Sequence, residues 1–243
     1  MTAEPARATR LTALIPTRNR PHNLANQFRL FMPAGYPMAV ADSSDDASWA
    51  AVKEVLPAGI AVERYPTDTT LFAKLAQASA AIETPFTLLA ADRKIAFPEA
   101  VDDALAFLEQ ENAFAAAAGY VLGFEPNQDD IDIYRVAFFT PSIREDDPLQ
   151  RHYHLMRRYQ PWVFSLFRTE ILRAAAQFAR SLAGGIFQEI GFVSAVALQG
   201  KMARLPTVFT LETPERSFRA LHDRDPFYWF LHDSRSFFEH YFR

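Results

Sequence analysis

The sequence predicts an α/β fold with a mostly parallel sheet flanked by helices. Short apolar runs alternate with segments in which apolar residues recur at helical spacing, the pattern of strands that are joined by helices. Three of the runs, which begin at Leu11, Met38 and Phe86, end in the polar clusters Thr-Arg-Asn-Arg, Asp-Ser-Ser and Asp-Arg-Lys. Parallel strands end at one edge of a sheet, so the three clusters are expected to meet where open α/β sheets bind ligands.

The first polar cluster lies where a strand gives way to a helix. Pro16 is predicted to end the strand, and Pro21 suits the first turn of the helix, with Asn19 or Thr17 as the side chain that caps it. A helix N-terminus attracts anions, and the arginines of this loop add two positive charges. The alternative is an ordinary turn with solvated arginines. The loop has no glycine-rich phosphate-binding pattern, so a bound nucleotide would be held in another way.

The second strand is predicted over Met38–Ala41 and stops at an acidic and hydroxyl-rich loop. Asp42 is predicted to face a ligand, because a carboxylate can accept a hydrogen bond from a ribose hydroxyl. Asp45 or Asp46 is predicted to cap the next helix. Lys74 follows near the start of the third helix, where it is either solvated or reaches a phosphate.

Composition limits the chemistry that the chain can perform. Its 243 residues are enough for one large α/β domain or two small ones, and a content of 49% hydrophobic and 22% charged residues is ordinary for a soluble globular protein. A net charge of −4 argues against nucleic-acid binding. The chain has no cysteine, which excludes disulfides, a thiolate nucleophile and thiolate metal ligands. The sequence shows neither a secretory signal nor a membrane-spanning run, so a cytoplasmic location is expected.

Taken together, these residues resemble the nucleotide-binding half of a GT-A glycosyltransferase. The resemblance rests on the opening IPTRNRP, the ADSS that ends the second strand, the helix that contains Lys74, and the stretch FTLLAADRKIAFPEA. It is similar to family-2-like inverting enzymes, which have a PTxNRP start and an aspartate-rich motif followed by xxPE. The resemblance implies a Rossmann-like GT-A domain over residues 11–243 after a disordered lead-in, residues 1–10. Residues 11–125 would bind the nucleotide-sugar donor, and residues 126–243 would bind the acceptor.

The resemblance also implies roles for individual residues. The nucleotide pocket would be lined by Pro16, Thr17, Arg18, Asn19, Asp42, Lys74 and Asp92. Asp92 would be the first acid of the family's Asp-x-Asp motif, but Lys94 occupies the place of the acid that binds the divalent metal. A charged lysine has no lone pair with which to bind Mn²⁺ or Mg²⁺, so of this motif only Asp92 would remain as a metal ligand.

Two explanations for Lys94 stay open. In the first, Lys94 with Arg93 or Arg18 neutralises the leaving diphosphate in place of the metal, and Arg216 adds a further phosphate contact. In the second, the site has lost its donor chemistry and the chain is a non-catalytic binding module. A sugar nucleotidyltransferase is another alternative, although the glycine- and lysine-rich activating loop of that class is not found in the sequence.

Two other groups of residues have the chemistry of metal ligands. Glu99, Asp102 and Asp103 follow the aspartate-rich motif, but acids in the first turns of a helix also interact favourably with its dipole. His152 and His154 are separated by one residue and would point the same way on a strand. No third ligand is evident near the two histidines, so a surface or acceptor-contact role is expected for them instead.

The second half of the chain is expected to carry the acceptor site. In inverting GT-A enzymes an acid at the start of a comparable helix removes the proton of the acceptor hydroxyl, and Glu189 resembles that residue. Asp146 and Asp147 are reserves for this role. The acceptor, whether glycan, lipid-linked or protein, is not specified by the sequence. The aromatic segment Pro226–Arg243 is expected to pack on its own domain, with a homodimer contact as the second interpretation. A membrane-surface contact is the third, because the segment lacks the basic face of an interfacial helix.

Overall fold

A computed structural model of the chain describes residues 9–126, 131–138, 141–157, 159 and 161–212. The strands are β1 Leu11–Thr17, β2 Met38–Asp42, β3 Ala61–Arg64, β4 Phe86–Leu89, β5 Lys94–Ala96, β6 Phe114–Pro126, β7 Ile131–Phe138, β8 Leu166–Arg168 and β9 Lys201–Glu212. The helices are α1 Pro21–Phe31, α2 Asp46–Val55, α3 Leu71–Ala78, α4 Pro98–Gln110, α5 Pro148–Arg157, α6 Thr169–Arg180 and α7 Gly185–Gln199, with a 3₁₀ turn at Ser79–Ala81. Arg216 and the aromatic segment Pro226–Arg243 lie outside the described residues.

The described strands form one nine-stranded sheet in the order β3-β2-β1-β4-β8-β6-β9-β5, with β7 beside β6. The first four strands pair in parallel, β8 is antiparallel to both β4 and β6, and β9 is parallel to β6. Since β5 and β7 are antiparallel to their partners, six of the nine strands run in one direction and three run in the other. The predicted α/β fold with a mostly parallel sheet is therefore confirmed.

The first helix has the predicted buried face but not the predicted cap. Leu24, Phe28 and Phe31 are buried, as their helical spacing requires. The α1 N-cap position is Arg20, and no side chain caps it. Asn19 has a φ of +56° and uses its side-chain oxygen to accept from a backbone N–H of the second loop, so the prediction that it caps α1 is wrong.

Strand β1 continues one residue past Pro16, where the sequence predicts its end. Proline removes only its own backbone donor, so the neighbouring residues can still pair. Pro16 lies opposite Ala41, and Thr17 lies opposite Asp42 in the parallel register. The carbonyl of Thr17 accepts a hydrogen bond of 3.2 Å from the amide of Ser43. The end of β1 is thereby tied to the loop after β2.

The two histidines of the second half lie on helix α5 and not on a strand. Residues two apart on a helix point to different sides, so His152 and His154 cannot form the metal pair considered from the sequence. His154 Nδ1 instead lies 2.5 Å from Glu145 Oε1. Their neighbour Arg151 is buried and donates to the carbonyls of Ala197 and Leu198, which docks α5 on α7.

The core lies on both faces of the sheet. Strand β6 contributes a run of buried alanines, which lets helices approach the sheet closely, and the larger rings of Phe167 and Phe192 fill the space at α7. The Phe192 ring contacts Phe72 and Phe167 at centroid distances of 5.3 and 5.5 Å. None of the helices in the described ranges is both long and apolar enough to cross a bilayer.

Candidate functional site

The carboxyl ends of β1, β2 and β4 meet at one edge of the sheet, as the sequence predicts. We call this region the parallel edge and define it by Thr17, Asp42, Ser43, Lys74 and Asp92. Thr17 Oγ1 donates a 2.9 Å hydrogen bond to Asp92 Oδ2, which joins residues that are 75 positions apart in the chain. The first and third of the three polar clusters are therefore in direct contact.

Lys74 is buried at the centre of the parallel edge. Its side chain is only 4% exposed, and Nζ donates 2.9 Å hydrogen bonds to the Thr17 carbonyl and to Ser43 Oγ. Burial lowers its pKa to about 8, against the opposing effect of Asp42 and Asp92. In this structure Lys74 is therefore neither solvated nor extended towards solvent, and it ties the ends of β1 and β2 together.

Asp42 is fully buried at the end of β2. Ser44 donates to its carboxylate through the hydroxyl, at 2.6 Å, and through the backbone amide, at 3.2 Å. Arg64 Nε lies 3.6 Å from Asp42 Oδ2. Ser44 Oγ in turn accepts a 2.8 Å hydrogen bond from the amide of Asn19. In this conformation the Asp42 carboxylate shapes the two loops through Ser44 and Arg64, whereas the sequence predicted that it faces a ligand.

Asp45 caps α2, as predicted. Its carboxylate accepts a 2.7 Å hydrogen bond from the amide of Ser48, and this bond is the first cause of the lowered pKa of Asp45. Its own amide donates to Asn19 Oδ1 at 3.0 Å. Asn19 therefore joins the loops after β1 and β2 through both its backbone amide and its side-chain oxygen. A change in one loop is expected to move the other.

Asp92 closes the parallel edge and is 5% exposed. Besides Thr17, it interacts with Arg20, whose Nη1 lies 3.3 Å from Asp92 Oδ1. Burial raises the pKa of Asp92, while Arg20 and Thr17 act in the opposite direction. Gln27 donates to the backbone carbonyls of Asp92 and Lys94 at 3.2 and 2.7 Å, which holds the turn between β4 and β5. The sequence offered one signal for Gln27, since it is a polar residue on the apolar face of α1.

A second group of charged side chains lies where β5, β9 and α7 come together. We call it the base cluster and define it by Lys94, Tyr159, Glu189 and Glu212. Lys94 is 6% exposed and is the first residue of a strand, whereas the sequence placed it in a loop. It lies opposite Glu212 in the antiparallel register, with Nζ 3.3 Å from Glu212 Oε2. Arg93 Nη2 lies 3.7 Å from the other oxygen of Glu212.

Burial lowers the pKa of Lys94, and the adjacent carboxylate of Glu212 partly offsets this effect. The ammonium also lies 5.2 Å from the centre of the Phe164 ring, an arrangement that stabilises a cation. The charge of Lys94 therefore has defined partners in the protein itself. The sequence gave no sign of Glu212, because nothing local links it to a lysine 118 positions earlier.

Glu189 lies in the first turns of α7 and is half-buried. The Tyr159 hydroxyl donates a 2.9 Å hydrogen bond to Glu189 Oε1. Burial raises the pKa of Glu189, while Tyr159 and the nearby charge of Lys94 oppose that rise. A carboxylate with a raised pKa accepts a proton more readily, so this arrangement suits a general base.

The remaining candidate residues have other surroundings. Arg18 is exposed and forms no hydrogen bond or ion pair with the residues that the structure describes. Asp146 lies 2.6 Å from Lys201, and Asp147 accepts from a backbone amide in the first turn of α5. Asp102 accepts a 2.5 Å hydrogen bond from the hydroxyl of Tyr36, in the turn that follows α1. The structure therefore does not bring these acids into either the parallel edge or the base cluster.

The donor set does not fit a divalent metal. Mn²⁺ and Mg²⁺ need several oxygen ligands, and no group of three or more acidic or histidine side chains in the described ranges could hold one. Both oxygens of Asp92 already face hydrogen-bond donors, and the next strand begins with the ammonium of Lys94. A cation placed here would compete with Arg20 and be repelled by Lys94.

No protein-family model matches the sequence, and no curated protein matches it. Solved structures do match. TarS 1–349 from S. aureus has a TM-score of 0.60 and 15% identity over 84% of this chain, which spans 60% of the TarS segment. Glucosyl-3-phosphoglycerate synthase from Mycobacterium tuberculosis, solved with Mn²⁺, UDP-glucose and phosphoglyceric acid, has a TM-score of 0.57 and 15% identity over 88% of this chain and 75% of its own.

A third match is CMP:2-keto-3-deoxy-manno-octonic acid synthetase complexed with CTP. Its TM-score is 0.51 with 12% identity, and the match covers 88% of this chain and 99% of that one. At these identities the likeness concerns the fold. The chain therefore has the GT-A-like, Rossmann-like α/β fold of these structures.

Proposed function

We propose that this protein transfers a sugar from a nucleotide-diphosphate sugar to an acceptor hydroxyl with inversion, and that Glu189 is the general base. The observation that carries the proposal is the placement of Glu189, a half-buried carboxylate of raised pKa held by Tyr159 next to a buried cation, Lys94. The same sheet presents the parallel edge, where open α/β sheets bind ligands.

In this proposal the parallel edge binds the nucleotide. Thr17, Asn19 and the buried Asp42 shape its loops, and Lys74 and Asp92 lock the strand ends together. Arg18 is the exposed cation beside these loops and the natural partner for a phosphate. Of the residues that the resemblance assigns to the nucleotide pocket, which include Pro16, some thus hold the loops in shape and others contact the nucleotide.

The transfer step needs a base, an acceptor and a leaving group. Glu189 takes the proton of the acceptor hydroxyl as its oxygen forms a bond to the anomeric carbon. The bond between that carbon and the diphosphate oxygen breaks on the opposite face, and the electron pair leaves with the nucleoside diphosphate. The acceptor ends with an inverted glycosidic bond, and the carboxyl of Glu189 holds the proton.

The diphosphate leaves with extra negative charge, which must be stabilised. Arg93 and Lys94 share the single carboxylate of Glu212, so these three groups retain one positive charge. We propose that this charge, with Arg18 and with Arg216 beyond the described residues, replaces the metal. The acceptor is a hydroxyl of a glycan, a lipid-linked group or a protein.

A second candidate is a sugar nucleotidyltransferase. The observation that favours it is the match to the CTP-bound synthetase, which extends over 99% of that protein. Such an enzyme would bind a nucleoside triphosphate and release pyrophosphate. It would have no need of a base at Glu189 for an acceptor hydroxyl, so the two candidates differ in which ligand binds and in the effect of replacing Glu189.

The test is a calorimetric titration with UDP, GDP, CDP, dTDP and CTP, each with Mn²⁺ and with EDTA, followed by turnover of the matching nucleotide-sugar. Glu189→Gln should lower turnover by about 10²- to 10⁴-fold and leave nucleotide binding intact. Tight CTP binding with pyrophosphate release would favour the nucleotidyltransferase. Equal turnover by Glu189→Gln and wild type would remove Glu189 as the base, and no binding of any nucleotide would leave a non-catalytic module.

A further inference from the structure

The two carboxylate oxygens of Glu189 have different surroundings. Oε1 accepts the 2.9 Å hydrogen bond from the Tyr159 hydroxyl. Oε2 has no hydrogen-bond partner within the described part of the chain and is not among its enclosed, unpaired polar atoms. A carboxylate with one oxygen held by a donor cannot rotate freely, so the other oxygen points in a defined direction.

Lys94, the cation of the base cluster, does not form an ion pair with Oε2 of Glu189. Lys94 lies close enough for its charge to lower the pKa of Glu189, but its ion pair within 4.0 Å is with Glu212 and not with Glu189. Glu212 is in turn shared with Arg93. The ammonium of Lys94 is therefore paired with Glu212, and it lies near Glu189 without an ion pair to it.

Tyr159 is anchored outside the helix that carries Glu189. It packs against the hydrophobic core, and it lies between α5 and β8, on a segment outside the helix that carries Glu189. Burial and the adjacent carboxylate of Glu189 raise the pKa of Tyr159, so its hydroxyl keeps its proton and donates at neutral pH. Its phenol thus fixes α7 and the carboxylate against the core.

We propose that Tyr159 is a positioning residue that holds Oε1 of Glu189, so that Oε2 is the oxygen that takes the proton from the acceptor hydroxyl. The inference rests on the proposed function and deepens it, because it assigns the two oxygens different roles. Tyr159 neither gains nor loses a proton in the step. Oε2 gains the proton that the acceptor oxygen loses as that oxygen bonds to the anomeric carbon, and the leaving diphosphate takes the electron pair of the broken bond.

The test compares Tyr159→Phe with Tyr153→Phe. Tyr153 is 57% exposed on α5 and has no hydrogen bond with the described residues, so its variant controls for losing a phenol hydroxyl. Tyr159→Phe removes a hydrogen bond to the charged form of Glu189 and should raise the pKa of that carboxyl. Three readouts apply: the pH profile of kcat/KM, kcat against KM, and the ¹³C shift of the Glu189 carboxyl during a pH titration.

Tyr159→Phe is expected to move the acid limb of the profile and the carboxyl titration to higher pH together. It should lower kcat about tenfold with KM for the donor unchanged, the effect of losing one hydrogen bond to a charged group. Tyr153→Phe should match wild type in each readout. Thermal melting tests whether both variants remain folded, which we expect because the phenylalanine ring keeps the packing of Tyr159.

The outcomes separate this inference from the proposed function. An active wild type, an inactive Glu189→Gln variant and a Tyr159→Phe variant with an unchanged profile would overturn the role of Tyr159 and leave Glu189 as base. A fall in kcat with an unmoved carboxyl titration would also overturn it, because the loss would then be structural. A wild type without turnover on any nucleotide-sugar would reject the proposed function, and the role of Tyr159 with it.

Discussion

The two charged regions of this protein use buried lysines in different ways. At the parallel edge, Lys74 donates to a backbone carbonyl and to a serine hydroxyl, so its contacts join two strand ends. In the base cluster, Lys94 contacts a carboxylate on a neighbouring strand and stands near Glu189. The first lysine satisfies backbone and hydroxyl groups, whereas the second balances the charges of side chains that can change protonation.

In the proposed function, this difference separates a region that holds strand ends together from a region that performs the transfer. The carboxylates of the parallel edge, Asp42 and Asp92, accept hydrogen bonds on both oxygens. Glu189 in the base cluster has a donor on Oε1 alone among the described residues. A fully bonded carboxylate is held in place and is slow to exchange a proton, while a half-bonded one of raised pKa can act on a ligand.

The largest effect that separates the two regions is expected from Lys94→Met. Without this charge Glu212 keeps only its ion pair with Arg93, and the pKa of Glu189 should rise further. In the proposed transfer, the leaving diphosphate also loses a cation. We expect a fall in kcat of about 10²-fold and a loss of about 3 kcal/mol in the free energy of unfolding. Steady-state kinetics and chemical denaturation measure the two quantities.

The matched control is Lys201→Met, on the same strand as Glu212. Lys201 pairs with Asp146, which is almost fully exposed, and a surface ion pair of this kind contributes about 1 kcal/mol or less. If Lys94→Met lost stability but kept wild-type turnover, Lys94 would be a scaffold residue like Lys74, and the contrast between the two regions would fail.

An intermediate effect is expected from the pH dependence of stability at Lys74. Burial lowers its pKa from 10.5 to about 8, so between these values the unfolded chain binds a proton that the folded chain does not. The free energy of unfolding of the wild type should therefore rise, relative to Lys74→Met, as pH increases through this window, by about 3 kcal/mol. Denaturation curves at pH 7.5, 9 and 10.5 for both proteins measure this difference, to which Lys94 contributes equally in each.

Lys53→Met on the exposed face of α2 provides the control for that series, because it removes a lysine side chain that lies in solvent. Parallel pH curves for wild type and Lys74→Met would show that Lys74 has an ordinary pKa. The parallel edge would then be open to water, and its function as a rigid scaffold would be wrong.

The smallest effect is expected from removing divalent metal. Because the donor set at Asp92 is occupied by Thr17 and Arg20, nucleotide affinity with EDTA should stay within about twofold of its value with Mn²⁺. Calorimetric titration measures both affinities. A tenfold or greater gain with Mn²⁺ would mean that Asp92 exchanges Arg20 for a metal when the nucleotide binds.

Much of the fold could be predicted from local patterns. The apolar runs placed β1, β2 and β4, the helical spacing of Leu24, Phe28 and Phe31 placed the buried face of α1, and the acidic loop placed the cap of α2. These features depend on neighbours within a few positions, and such neighbours are visible in the sequence.

The partners within the site could not be predicted in the same way. Tyr159 has no local signal that links it to Glu189, and Glu212 meets Lys94 only because β9 pairs with β5. Asn19 resembles a helix cap in the sequence, but its side-chain oxygen instead accepts a hydrogen bond from the backbone amide of Asp45 in the second loop. Each of these contacts competes with a local alternative, and the outcome depends on which long-range partner the fold brings near.

The sequence by itself determined the α/β class and the meeting of three strand ends at one edge, because these follow from residue type and order. Only the tertiary structure decided that Lys74 is buried and joins two strand ends, and that the Asp42 carboxylate contacts Ser44 and Arg64. It also decided that one oxygen of Glu189 has no hydrogen-bond partner among the described residues. The physical reason is that charge and hydrogen-bond capacity are properties of a residue, whereas burial and partner choice are properties of the packed chain.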